Sequence, residues 1–86
     1  MNIQKLKDEL YLVNDDLLRL FIRHLELTGQ IADERVKEGK LSHDRKLGEE
    51  LLERVVGQTP QDVQSYALEF LHNVINIEKE LHKGKK

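Results

Sequence analysis

The 86-residue sequence predicts an all-α fold, a three-helix protomer with a very long first helix that pairs with a second copy as a homodimer. Three observations carry this reading. Apolar positions recur at alternating steps of three and four from Ile3 to Ile31. Five Gly, one Pro and almost no β-branched alternation leave helix as the only persistent pattern. The first helix is also too long for a compact protomer. From Ile3 to Lys37 it makes a rod of roughly 52 Å, whereas a globule of this chain length has a radius of gyration near ~12 Å. Its seam therefore calls for cover from another chain, and a symmetric dimer is the commonest way to supply it.

The first helix takes Asn2 as its N-cap and runs to about Lys37 along the seam Ile3, Leu6, Leu10, Val13, Leu17, Leu20, His24, Leu27, Ile31. Gly29 weakens it by up to ~1 kcal/mol relative to Ala, but the seam stays in phase across it, so one continuous helix is expected. EGKLSHD, residues 38–44, breaks this helix at Gly39 and offers Ser42 or Asp44 as cap for the second. Leu47, Leu51, Leu52 and Val55 form the second helix's apolar stripe, and Gly57 closes it. TPQD, residues 59–62, opens the third helix with a Thr cap and Pro at the first helical position. That helix carries Val63, Tyr66, Ala67, Phe70, Leu71, Val74, Ile75, Ile77 and Leu81 before a lysine tail. The chain reads as a single domain, residues 1–86, without repeats.

Composition excludes several classes of function. Without Cys there are no disulfides, thiolate metal sites or thiol chemistry, and a reducing cytoplasm is expected. Apolar runs of four or five residues and a polar N-terminus argue against secretion and membrane spanning. Fourteen basic and sixteen acidic residues, interspersed to a net charge of -2, create no field for nucleic acid or an anionic membrane. The basic tail HKGKK, residues 82–86, suits the negative end of a helix dipole.

No nucleophile–base pair, phosphate loop or HExxH spacing is present, and His24, His43, His72 and His82 form no close helical pair of metal ligands. His24 stands out because it sits in an otherwise apolar seam. It reads either as a half-buried, register-setting polar residue or as a pocket group, with Arg35 close to three turns further along nearly the same face to help hold an anion. Glu78 and His82, four apart, read as an exposed intrahelical pair worth a few tenths of a kcal/mol. Pattern alone goes no further.

The order of features, LxxxNDDLLRLFIRHLEL, then IADERVKEGK, a loop with LSHD and a short helix ending LLERV, resembles the all-helical (type II) chorismate mutases over essentially the whole chain, ungapped from Lys7 to Val55. The resemblance implies an intertwined homodimer with two sites, each built mainly from one chain and completed by the other's first helix. It also implies a cytoplasmic isomerase of the shikimate pathway, converting chorismate to prephenate by Claisen rearrangement in aromatic amino acid biosynthesis, with no cofactor and no metal. Such catalysis rests on fixing a compact conformer, clamping two carboxylates and placing donors at the ether oxygen.

Position by position the resemblance is mixed. Lys7 falls where the family has an arginine reaching the neighbouring site, and His24 where it has a second carboxylate-binding arginine. Arg35 replaces a lysine that binds a carboxylate and the ether oxygen, and Asp44 matches the loop aspartate. Leu47 and Gly48 stand where the family has an arginine followed by Glu or Gln. Glu78 and His82 stand where it has Ser or Thr and a Gln, in a register loosened by a shorter preceding loop. The implied catalytic residues are thus Arg35, Glu78 and His82, with Lys7, His24, Asp44, Leu47 and Gly48 binding substrate. Arg45 or Glu49 could take the places of Leu47 and Gly48 if the helix start shifts. Only Asp44 is identical, and losing one oxyanion-type donor commonly costs ~10²- to 10³-fold in rate. Three readings stay open: a mutase of weak activity, an isochorismate pyruvate lyase, and an inactive helical dimer used for binding or regulation.

Overall fold

The computed structural model describes residues 2–84 and contains, among them, three helices and no strand: α1 (Ile3–Lys37), α2 (Arg45–Gln58) and α3 (Gln64–His82). Lys85 and Lys86, the end of the basic tail, lie outside the described residues. Among the described residues no helix is long and apolar enough to cross a membrane.

α1 is continuous through Gly29. Asn2 caps it, its side-chain oxygen accepting from the Gln4 and Lys5 N–H groups at 2.9 and 3.4 Å. At the other end the Lys40 and Gly39 N–H groups donate to the Arg35 and Val36 carbonyls, the double closure of a Schellman motif. Gly39 occupies its left-handed position with φ 79°. Asp44, rather than Ser42, caps α2 by accepting from the Leu47 N–H at 3.1 Å.

The α2–α3 junction departs from the expectation. α2 continues through Gly57 to Gln58, and α3 begins at Gln64, not at Pro60. Thr59 is the reason. Its hydroxyl donates back to the Val55 carbonyl at 2.7 Å, which turns the side chain toward α2 and makes Thr59 the end of that helix rather than the start of α3. Pro60–Val63 forms a tight turn, with the Val63 N–H on the Pro60 carbonyl at 3.1 Å, and Val63 starts α3 without any side-chain cap.

α3 touches both other helices, whereas α1 and α2 do not pack on each other. His24 meets Glu78 and Thr28 meets His82, one turn on in both helices, so α1 and α3 run in the same direction where they meet. α2 returns antiparallel between them in sequence, Gly48 facing Ile75. Close approach of α1 to α3 relies on small residues, Gly29 and Ala32, both buried. Ala32 lies about 100° round the helix from Ile31, so the face that packs on α3 is centred beside the predicted seam and takes only His24 from it. That seam is open: Leu10 and Leu20 are 62% and 68% exposed. The molecule measures 56 × 25 × 16 Å with a radius of gyration of 16.0 Å, elongated as the rod length required.

Candidate functional site

Because α1 and α2 both lean on α3 without touching, a cleft is left between them, and it is the site candidate. Thr28, Ile31 and Ala32 of α1 form one wall and Leu47, Gly48 and Leu51 of α2 the other. Ile75, Glu78, Lys79 and His82 of α3 form the floor, and Ser42, His43 and Asp44 close one end. About 480 Å³ of space, open solvent at its mouth included, lies between these walls.

The floor is polar at its α1 edge. Glu78 is 4% exposed, and its Oε2 lies 2.5 Å from His24 Nδ1. A buried carboxylate is costly without such a partner, so His24 is the half-buried polar member of the seam and pairs across to α3. One turn on, His82 Nε2 lies 3.1 Å from the Thr28 hydroxyl. That hydroxyl also reaches the His24 and Leu25 carbonyls at 3.1 and 3.2 Å. All these contacts are met together when the hydroxyl donates to the carbonyls and His82 donates its Nε2–H to the hydroxyl oxygen. Glu78 and His82 are therefore not the exposed intrahelical pair expected from their spacing. Burial at the crossing gives each a nearer partner on α1.

Arg35 is occupied in the loop. Its Nε donates to the Leu41 carbonyl at 2.8 Å and a terminal nitrogen to the His43 carbonyl at 3.4 Å, while another lies 3.5 Å from Asp44 Oδ2. A guanidinium suits this because its planar fork serves several oxygens at once. Asp44 divides its oxygens between Arg35 and the α2 cap. His24 and Arg35 thus each face a carboxylate of the protein itself.

Of the residues named from the sequence, Asp44, Leu47, Gly48, Glu78 and His82 line the cleft; His24 and Arg35 stand behind it, bonded to Glu78 and Asp44. Lys7 is remote within one chain, seventeen residues and so about 25 Å along α1 from His24. Arg45 and Glu49 pair with each other on the exposed side of α2, which removes them as substitutes for Leu47 and Gly48. Sequence reasoning missed Thr28, Ser42, His43 and Lys79. Two of these carried a usable signal, Thr28 one turn beyond His24 and Lys79 one turn beyond Ile75. No family model, curated protein or solved structure matches this chain.

Proposed function

We propose that the chain is a homodimeric isomerase of the chorismate mutase type with weakened activity, its substrate held in the α1–α2 cleft. One observation carries the reading. Residues that the resemblance nominates from two separate parts of the sequence, Asp44, Leu47 and Gly48 in one and Glu78 and His82 in the other, line one cleft, and His24 and Arg35 are bonded to two of them. The rearrangement breaks one C–O bond as one C–C bond forms within a single molecule, so a shaped cleft with donors suffices. Here Lys79 offers a donor, Asp44 and the second ring nitrogen of His82 offer acceptors, and Leu47, Leu51 and Ile75 enforce a compact conformer. The dimer completes the proposal: the open seam of α1 is covered by the second copy, whose Lys7 reaches the cleft.

A second reading, an inactive binding dimer, is favoured by the apolar pair Leu47 and Gly48 and by the commitment of Arg35 to its loop. Incubating the purified protein with chorismate and following its ultraviolet absorbance, with prephenate identified as product, separates the two. Turnover no faster than the spontaneous reaction overturns the isomerase. In the isomerase, Leu47→Arg with Gly48→Glu raises the rate, and His24→Arg with Glu78→Ser raises it further. Unchanged rates in folded variants would place the substrate elsewhere.

A further inference from the structure

We infer that the cleft binds an apolar α-amino acid as its zwitterion, the ammonium on Glu78 and the carboxylate on Lys79. Glu78 is almost wholly buried, yet only its Oε2 has a protein partner, His24. Among the described residues no buried side-chain oxygen lacks a partner, so the unpaired Oε1 is not sealed in: it opens on the cleft that Glu78 lines. A carboxylate oxygen accepts only. What fills this place must donate, and beside a carboxylate an ammonium gives the stronger, charge-assisted bond. Lys79, the next residue, lines the same cleft, is exposed, and forms no ion pair with a carboxylate among the described residues. Adjacent positive and negative requirements, facing the apolar surface of Ile31, Leu47 and Ile75, describe the polar head and side chain of an amino acid such as leucine or phenylalanine.

The inference shares its cleft with the proposed function but needs no turnover. It is read by calorimetric titration without chorismate, so an inactive protein still decides it. The probes are L-phenylalanine with 3-phenylpropionate and phenethylamine, and L-leucine with 4-methylpentanoate and 3-methylbutylamine. Each set removes first the ammonium and then the carboxylate. An amino acid of at least one set binds ~10-fold or more tightly than its deaminated acid, the range of a hydrogen bond to a charged group. Glu78→Gln abolishes that preference. Lys79→Met abolishes the preference for the amino acid over its amine and leaves the ammonium preference in place, which shows a folded cleft independently of the first variant. Equal binding of acid and amino acid, no binding of either amino acid at millimolar concentration, or an unchanged preference in Glu78→Gln overturns the inference. An ammonium preference that emerges only in Lys7→Ala assigns Glu78 Oε1 to the second copy's lysine and overturns it as well.

Discussion

Gly29 and Gly57 are both glycines inside helices, and their surroundings separate them. A Cβ on Gly57 meets nothing within 4 Å, whereas one on Gly29 stands 3.1 Å from His82 Cε1. Gly57→Ala therefore raises stability by about 0.5–1 kcal/mol through helix propensity alone, seen as a higher urea midpoint at unchanged slope. Gly29→Ala falls short of that gain, because the His82 ring, bonded to Thr28, must give way by a few tenths of an ångström. The His24–Glu78 pair invites a double-mutant cycle. His24→Leu leaves a buried carboxylate without its partner and costs about 1–3 kcal/mol, while adding Glu78→Leu recovers most of the loss, since an apolar pair replaces a buried polar one. A double variant as unstable as the single one would show that Glu78 is solvated through the cleft without His24's help. That His24 is special was legible in the sequence, as a polar residue in an apolar seam. Its partner was not, because Glu78 lies 54 positions away and nothing local distinguishes it from an exposed glutamate.

At the level of elements, helix ends governed by one short interaction were readable and the end with two competing uses was not. Asn2, Gly39 and Asp44 each act as their residue type suggests. Thr59 also looked like a cap, but a hydroxyl both donates and accepts, and its donation to Val55 ties it to the helix before it. Replacing Thr59 with Val removes that bond and costs about 1 kcal/mol, with faster amide exchange over the last turn of α2; Thr59→Ser retains most of the protection. Arg35 joins α1 to the 38–44 loop. Arg35→Lys cannot serve the Leu41 and His43 carbonyls and Asp44 together, so hydrogen exchange in that loop rises while α1 stays protected. Loop exchange unaltered by the lysine would mean that the Schellman closure alone holds the segment.

For the molecule as a whole the decisive quantity is the apolar surface that one chain leaves uncovered. Among the described residues the buried apolar side chains are Ala32 and Val74, while Leu6, Leu10, Leu17 and Leu20 of the seam, and Tyr66, Phe70 and Ile77 of α3, stay open. Two small side chains cannot offset the conformational entropy of a folded chain this size. The proposed homodimer therefore sediments at twice the 10.1 kDa chain mass, and its melting temperature rises with protein concentration. Leu10→Glu with Leu17→Glu, which puts charge into the seam, abolishes both the dimer and its cooperative melting. A monodisperse, cooperatively folded monomer would overturn the assembly. By itself the sequence determined the three helices, the continuity of the first and its excess length, because period, caps and rise per residue are local properties of the chain. Only the tertiary structure decided which face of α1 meets α3, that Glu78 is buried against His24, and that Arg35 serves its own loop. Those outcomes depend on which groups approach across the fold, where the small residues Gly29 and Ala32 allow contact that a more apolar but bulkier seam does not.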